Sequence, residues 1–186
     1  MNCPTLLSER LILRPLSIED LSAVHNLHSL PETDEFNTLG IPKDIDETEK
    51  VITPLVRVNE SELRGNFTWA IESKDEHDFI GLIAMNLAAE KFSRAEVWYK
   101  LDSKFWKNGY ATESVKRLLS FGFNDLDLHR IEAGCAVGNL GSLKVLEKAG
   151  MIKEGRTRQR LPLKTGWSDG FDFGMLKSEY LEYFKL

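Results

Sequence analysis

The sequence predicts an α/β fold in which one β-sheet is flanked by helices. The order of elements is a strand, helices, a run of strands, and then alternating strands and helices that end in two strands. In the segment "FWKNGYATES" (105–114), a strand breaks at a small-residue turn and a helical pattern begins. The 186 residues contain no internal repeat and no Pro/Gly-rich linker, which predicts a single domain over residues 1–186.

The first elements are a strand and a helix. The segment 10–16, "RLILRPL", has the composition of a strand. Ser17 followed by Asp20 is typical of a helix start, because each side chain can bond the backbone of the other. Four apolar residues then follow at helical spacing: Leu21, Val24, Leu27 and Leu30.

A second helix and two strands complete the first half of the chain. The segment 44–65 is predicted to be helical, with a kink or break at Pro54. The segments 66–73 and 78–88 are predicted strands, joined by the charged turn "KDEHD".

The second half alternates between strands and helices. A cap at Asn139 and a stop at Gly150 delimit one helix. The predicted strands are 93–102, 129–137, 151–161 and 169–177, and the predicted helices are 111–124 and 139–150.

Composition excludes several classes of protein. The net charge of −5 argues against a general nucleic-acid binder, which would carry a basic face. Cys3 and Cys135 have no CxxC neighbour, so neither a disulfide framework nor a zinc site is expected. His25 and His28 lack a third ligand nearby, so we expect solvated histidines and no metal. No apolar run approaches the ~18 residues that span a bilayer, which predicts a cytoplasmic protein with no membrane contact.

The turn "WKNGYA" (106–111) has two possible roles. Backbone N–H groups at the start of a helix can hold a phosphate or pyrophosphate, and Gly109 and Ala111 would let the ligand approach the main chain. A single glycine before a helix also marks an ordinary turn. The segment has neither the Gly-Lys-Ser/Thr ending of a P-loop nor a GxGxxG pattern.

The segment "GWSDG" (166–170) matches the GxSxG pattern of serine hydrolases with Ser168 as nucleophile. That mechanism needs a helix after the serine and a histidine later in the chain. A strand-like segment follows instead, and all four histidines come earlier. We interpret the segment as a hairpin turn.

The spacing of motifs across the two strand–helix units resembles that of a known protein family. "AEVWYKLDSKFWKNGYATES" is followed after about 25 residues by "AVGNLGSLKVLEKAGM". Further matches are Glu154–Gly155, Gly166, Asp169 and "FGML", and the opening "SERLILRPLSIEDL" is similar as well. Together these motifs resemble the GNAT acyltransferase superfamily, and most closely its Rim-type branch of ribosomal-protein N-terminal alanine/serine acetyltransferases. The resemblance implies a mixed, mostly antiparallel central sheet that is splayed between its middle strands, with helices on both faces.

The resemblance also implies a co-substrate, acetyl-CoA, and a set of site residues. Glu96 would be the general base and Ser142 would assist the departing thiolate. The residues expected to bind acetyl-CoA are Tyr99, Lys100, Leu101, Trp106, Lys107, Asn108, Gly109, Tyr110, Ala111, Thr112, Asn139 and Ser142. Asn139 would either bond the pantetheine arm or cap its helix.

Three positions depart from the family pattern. Lys107 replaces the first glycine of the loop, and its side chain would lie by the phosphates or in solvent. Trp98 replaces a glycine, which suggests a bulkier floor and a short acyl group. Leu146 replaces the tyrosine that serves many members as general acid, so that mechanism is not expected. These departures leave open an alternative, an acyl-CoA-binding or sensing domain with little catalysis.

The acceptor implied by the resemblance is a primary amine, either a protein N-terminus, such as that of a ribosomal protein, or a small molecule. Segments 31–65 and 156–170 would frame it. The acidic stretches "PETDEF" and "DIDETE" would attract a basic acceptor or form a solvated surface. Both a monomer and a homodimer are compatible with the sequence.

Overall fold

The computed structural model describes residues 2–61 and 65–184. Within them, eight strands form one sheet in the order β1-β2-β3-β4-β5-β6-β8-β7. The strands are β1 (Leu6–Leu7), β2 (Leu11–Pro15), β3 (Phe67–Ser73), β4 (Phe79–Leu87), β5 (Arg94–Leu101), β6 (Arg130–Ala136), β7 (Ile152–Leu163) and β8 (Gly166–Leu176). All neighbours are antiparallel except β5 and β6, which run parallel. The predicted mixed, mostly antiparallel sheet is confirmed.

In the part of the chain that the structure describes, six α-helices accompany the sheet: α1 (Leu21–Ser29), α2 (Pro31–Asp34), α3 (Ile45–Glu60), α4 (Tyr110–Ser120), α5 (Leu140–Lys148) and α6 (Lys177–Phe184). One face of the sheet packs against α1 and α3 through a small apolar cluster that includes Leu82 and partly buried Trp98. The larger core includes Val115 and Leu118 of α4, and Leu146 of α5. Helices therefore cover both faces, and β3 and β4 are almost entirely buried. In the described part of the chain, no helix is long and apolar enough to cross a membrane.

The first predicted helix starts as expected, with a short 3-10 turn at Ile18–Asp20 before α1. The carboxylate of Asp20 accepts a hydrogen bond from the Ser17 N–H at 3.0 Å. Asp44 caps α3, where its Oδ1 accepts from the Glu47 N–H at 2.9 Å. The helix continues through Pro54, which lies on the exposed side, so the predicted break does not occur. Residues 62–64 of the predicted 44–65 helix lie outside the described residues.

The C-terminal third differs from the prediction in three places. The predicted helix 111–124 is α4 followed by a π-helical turn at Phe121–Asp125. The two final strands extend into one long hairpin, β7–β8, whose turn is at residues 164–165. The interpretation of 166–170 as the turn is therefore wrong, because that segment begins β8. Helix α6 was not predicted; its Tyr180 packs on Phe123 with ring centroids 5.0 Å apart. Sequence pattern also gave no signal for the short elements β1 and α2.

Candidate active site

The cleft of this protein opens where β5 and β6 separate. Their pairing covers only Arg94–Val97 of β5 and Arg130–Ala133 of β6. From Trp98 onward, the β5 backbone groups that face β6 have no strand partner, although β4 still pairs with β5 up to Leu101. A cleft of about 220 Å³ occupies the gap. This is the splay between the middle strands that the resemblance implied.

The cleft gathers residues from β5, β6 and the start of α5. Glu96 and Tyr99 come from β5, Cys135 from β6, and Asn139 and Ser142 from the start of α5. The structure therefore brings both predicted catalytic residues, Glu96 and Ser142, into one cavity with two of the predicted acetyl-CoA ligands.

The side chain of Tyr99 supplies a hydroxyl that the sequence interpretation had not used. Its OH lies 2.7 Å from Ser142 Oγ, and Ser142 N donates to Asn139 Oδ1 at 2.9 Å. Burial raises the pKa of Tyr99 well above its ordinary value, although the bond to Ser142 opposes the shift. The tyrosine that many family members carry on the later helix is replaced here by Leu146, which is fully buried in the core. A tyrosine hydroxyl nevertheless reaches the cleft from the strand, next to Ser142.

Of the two roles considered for Asn139, binding the pantetheine arm and capping its helix, the structure shows the cap. Its Oδ1 is engaged by Ser142 N at the start of α5, so only its Nδ2 remains for a ligand. Ser142 also bonds the Cys135 thiol, which lowers its pKa, but burial dominates and raises the pKa of that thiol. At ordinary pH Cys135 is therefore a neutral, weakly nucleophilic wall of the cleft.

Glu96 projects from β5 with an exposed side chain that lines the cleft. It forms no hydrogen bond or ion pair within the described residues, so its carboxylate is not held by a cation there. Strand alternation places Glu96, Trp98 and Lys100 on the face toward α1 and α3, and Val97 and Tyr99 on the face toward α4 and α5. A carboxylate and a pair of hydroxyls thus approach the cleft from opposite sides of one strand.

The turn after β5 leads into the N-terminus of α4. Trp106 closes the turn: its N–H donates to the Ser103 carbonyl at 3.1 Å and its indole to the Leu101 carbonyl at 2.9 Å. No hydrogen-bond partner within residues 2–61 and 65–184 is found for the backbone N–H groups of residues 107–112. Lys107 and Gly109 have positive φ angles of 65° and 84°, which turn successive N–H groups toward one side. These unpaired N–H groups are able to bond an anion, whereas both N–H groups of Trp106 are already used within the turn.

Arg10 lies beside this turn, and sequence interpretation missed it. Its guanidinium donates to Glu113 Oε2 at 2.8 Å and to the Asn108 carbonyl at 3.1 Å, and it lies 4.7 Å from the Tyr110 ring centroid. Ser8 Oγ also donates to Glu113, at 2.8 Å. Because Glu113 is neutralised in this way, its charge does not repel an anion at the start of α4. No local pattern links Arg10 to the turn, since the contact joins residues 98 positions apart.

Lys100 differs from expectation, because its side chain is only partly exposed and its Nζ is buried. Its Nζ has no hydrogen-bond partner among the residues described. Burial lowers the pKa of Lys100 to about 8, while the charge of Asp34 acts to raise it.

Nearby His28 is only 7% exposed, so the expectation of a solvated histidine is wrong for this residue. Burial lowers the pKa of His28 to about 4, helped by the charges of Lys100 and His25. In the described residues, no cluster of His, Cys, Asp or Glu could hold a metal ion.

Comparisons with known proteins agree with this geometry. The family model for the acetyltransferase (GNAT) domain matches residues 10–152. The chain is 32% identical over 177 residues to p20, an uncharacterised N-acetyltransferase of Bacillus licheniformis, which covers 95% of this chain and 98% of p20.

Two solved structures share the fold. A spermidine N-acetyltransferase from Vibrio cholerae, in complex with CoA and spermine, superposes with a TM-score of 0.80 at 23% identity, covering 92% of this chain and 98% of that one. A ribosomal-protein-S5-alanine acetyltransferase from Vibrio fischeri gives 0.79 at 22% identity, covering 95% and 98%. At these identities the likeness establishes the fold alone. The family match establishes more: this chain belongs to the GNAT superfamily and is an N-acetyltransferase that acts on an amine, with acetyl-CoA as the implied co-substrate.

Proposed function

We propose that this enzyme transfers the acetyl group of acetyl-CoA to the amino group of a peptide or protein N-terminus, as the Rim-type resemblance implies, by direct attack in a ternary complex. The observation that carries the proposal is one continuous arrangement. An anion-binding turn at 107–112 leads to the open edge of β5 at 98–101, which leads to a cleft with Glu96 and Ser142. A bound acetyl-CoA supplies the activated acetyl group and the thiolate leaving group.

The turn would bind the pyrophosphate. Backbone N–H groups at a helix N-terminus favour negative charge, and the positive end of the α4 dipole adds to this. Arg10 lies beside the turn with its charge shared by Glu113, and Lys107 is exposed at its rim. The open β5 backbone at Tyr99, Lys100 and Leu101 would bond the pantetheine arm as an added strand; the Leu101 carbonyl is already shared with Trp106.

Glu96 would accept the proton that the acceptor ammonium must lose before attack, directly or through water. A positioned base of this kind contributes roughly 10²–10⁴-fold to the rate. Exposure supports the role, because a carboxylate with no competing ion pair in the described residues remains available. Glu96 also lies on the face of β5 toward α1 and α3, where segment 31–65 would frame the acceptor.

Groups at the open edge and on the opposite face of β5 would stabilise the negative charge that develops during transfer. A backbone N–H at 98–101 would stabilise the negative oxygen, because such donors are preorganised in the open edge. The hydroxyls of Ser142 and Tyr99 would donate hydrogen bonds to the departing thiolate. A thiol with a pKa near ~8.5 leaves readily, so these hydroxyls assist the reaction and are not indispensable to it.

Titration calorimetry with acetyl-CoA tests the binding half of this proposal. Gly109→Asp places a carboxylate in the turn, so we expect its affinity to fall at least about 10-fold. Thr165→Asp adds the same charge in the exposed hairpin turn and serves as the control. Full affinity in Gly109→Asp would exclude the turn as the pyrophosphate site.

Acetylation of short peptides, followed by mass spectrometry, tests the catalytic half. The expected result is a single acetyl group on the α-amine. Acetyl-CoA binding without transfer to any peptide or amine would favour a binding or sensing domain.

A further inference from the structure

Glu96 has a second carboxylate as its neighbour in the sheet. In the parallel pairing of β5 with β6, Glu96 lies in register with Glu132, so the two side chains extend from the same face on adjacent strands. Neighbouring strands lie about 4.8 Å apart. On its other side Glu96 is in register with Asn86 of β4, which carries no charge. Two like charges at this separation oppose each other's ionisation, so the charge at Glu132 affects Glu96.

Two arginines hold Glu132. Arg130 Nε donates to Glu132 Oε1 at 2.9 Å, and Arg94 Nη1 lies 3.5 Å from the same oxygen. Both Nη atoms of Arg130 bond Glu154, with Nη1 2.8 Å from its Oε1. The hydrogen bonds to Glu154 raise the pKa of Arg130 above its ordinary value, although burial opposes the shift. These four residues, which we call the Arg130 network, combine two cations with two carboxylates and place no net charge beside Glu96.

A glycine makes room for the Arg130 network on the sheet. Gly174 of β8 lies in register with Glu132, and a Cβ added there would lie 2.5 Å from Arg130 Nη2 and 2.7 Å from Glu154 Oε1. The guanidinium and the carboxylate therefore lie directly over the backbone of β8. The side chain of Arg130 is only 23% exposed, so solvent and salt screen this pairing less than they screen a fully exposed ion pair.

Other charges on the cleft side of Glu96 are balanced. Arg160 lines the cleft together with Glu96, and its guanidinium forms an ion pair with Asp172 of β8. The segment 36–38, "FNT", lines the cleft without a charged side chain. From this side, therefore, no unpaired charge acts on Glu96 among the described residues.

Titratable groups on the helix sides of β5 are balanced or neutral. Lys100 Nζ is buried, and its charge interacts with a carboxylate of α2. Burial lowers the pKa of His28 to about 4, so this histidine is neutral near pH 7. Burial raises the pKa values of Tyr99 and Cys135, which are neutral as well. The Arg130 network therefore contains the charges that adjoin Glu96 along the sheet.

We propose that Arg130 is a positioning residue for the reaction: by neutralising Glu132 it keeps Glu96 ionised and thereby sets the low-pH limit of acetyl transfer. The inference rests on the proposed role of Glu96 as base. It adds an electrostatic device on β6, β7 and β8 that acts on the acceptor's proton only through Glu96.

Three variants separate the charge from the structure. Arg130→Met removes a cation and leaves the carboxylates of Glu132 and Glu154 with Arg94 alone. Glu132→Gln removes the neighbouring carboxylate and leaves the network with an excess positive charge. The double variant removes one charge of each sign, so the balance returns. Lys148→Met removes a cation at the exposed end of α5, on the opposite face of the sheet, and serves as the control.

NMR titration of ¹³C-labelled glutamate carboxyl groups measures the protonation of Glu96 without requiring turnover. The resonance of Glu96 is assigned from its loss in Glu96→Gln. We expect its titration midpoint to move up by about half a pH unit in Arg130→Met and down by about as much in Glu132→Gln. The double variant and Lys148→Met should stay within about 0.2 pH units of the wild type, and about 0.5 M NaCl should reduce both shifts.

A structural role for Arg130 would not give shifts of opposite sign. Midpoints that stay in place in both single variants, or move the same way, would therefore refute the inference. The acid limb of kcat, at saturating acetyl-CoA and peptide, should move with the midpoint.

Failure of the proposed function is distinguishable from failure of this inference. If the midpoints move and the acid limb of kcat does not, the coupling stands, whereas the catalytic half of the inference and the role of Glu96 as base are both overturned. If no acceptor is acetylated, the proposed function fails by itself. The NMR titration then still supports the coupling by opposite shifts or refutes it by their absence.

Discussion

The buried Lys100 predicts an unusual dependence of stability on pH. Its pKa is lowered to about 8, mainly by burial, from an ordinary value of 10.5. Between these two values the unfolded chain binds more protons at this site than the folded chain, so the free energy of unfolding rises with pH. The penalty for burying the ammonium is complete below about pH 8 and disappears above about pH 10.5.

The size of the effect follows from the difference between the two pKa values. At about 1.36 kcal/mol per pH unit, this difference corresponds to a gain of about 3 kcal/mol in the free energy of unfolding. The side chain is partly exposed although its Nζ is buried, so solvent screening reduces the expected gain to about 2 kcal/mol.

Urea unfolding followed by tryptophan fluorescence, at intervals from pH 7 to pH 11, measures this gain. The reference is Lys100→Met, which has no titrating group at this position. We expect the difference in unfolding free energy between wild type and variant to change by about 2 kcal/mol across the window. A constant difference would refute the buried ammonium.

A double-mutant cycle then tests the link between Lys100 and Asp34. Lys100→Met leaves Asp34 buried without its opposing charge, and Asp34→Asn leaves Lys100 in the same condition. The double variant removes both charges. It is therefore expected to be more stable than the sum of the single changes predicts, by about 1 kcal/mol or more. Strict additivity would show that the two charges do not interact.

Three further outcomes are expected. Gly81→Ala would place a Cβ 2.3 Å from the Lys100 carbonyl oxygen, so the backbone must move. Unfolding measurements should therefore show that the free energy of unfolding falls by about 2 kcal/mol or more. A fall below about 0.5 kcal/mol would contradict that contact. Glu96→Gln should lower kcat about 100-fold with unchanged acetyl-CoA affinity, and a kcat within about 2-fold of wild type would exclude Glu96 as base. Ser142→Ala and Tyr99→Phe should each lower kcat about 10-fold, and the double variant little more, because the two hydroxyls form one pair; fully multiplicative losses would mean that they act separately.

The sequence predicted the elements that depend on local pattern. The predicted caps at Ser17–Asp20 and at Asn139 each involve residues three apart, so their signal lies within one turn. The turn at Gly109 was identified for the same reason, since a positive φ before a helix requires a short, glycine-containing segment. The family resemblance added the splayed sheet, which no local pattern contains.

The parts that sequence interpretation missed depend on distant contacts. Arg10 reaches Glu113 across 103 positions, and the Tyr99 hydroxyl meets Ser142 across 43. Lys100 was assigned a backbone role because strand alternation alone does not distinguish a lysine at the surface from one covered by α1 and α2. Helix α6 was missed because its sequence, "KSEYLEYF", shows one buried residue, Tyr180, and therefore little periodicity.

The position of the site follows from the one parallel pair in the sheet. Antiparallel neighbours can be joined by a hairpin, but parallel strands need a crossover, and here α4 provides it between β5 and β6. That helix must begin near the carboxyl end of β5, so its N-terminus lies at the end where β5 and β6 separate. Unpaired N–H groups at a helix start and an unpaired strand edge are thus adjacent because of the topology alone. In the proposed function, side chains then determine the chemistry, with Glu96 on one face of β5 and Tyr99 and Ser142 on the other.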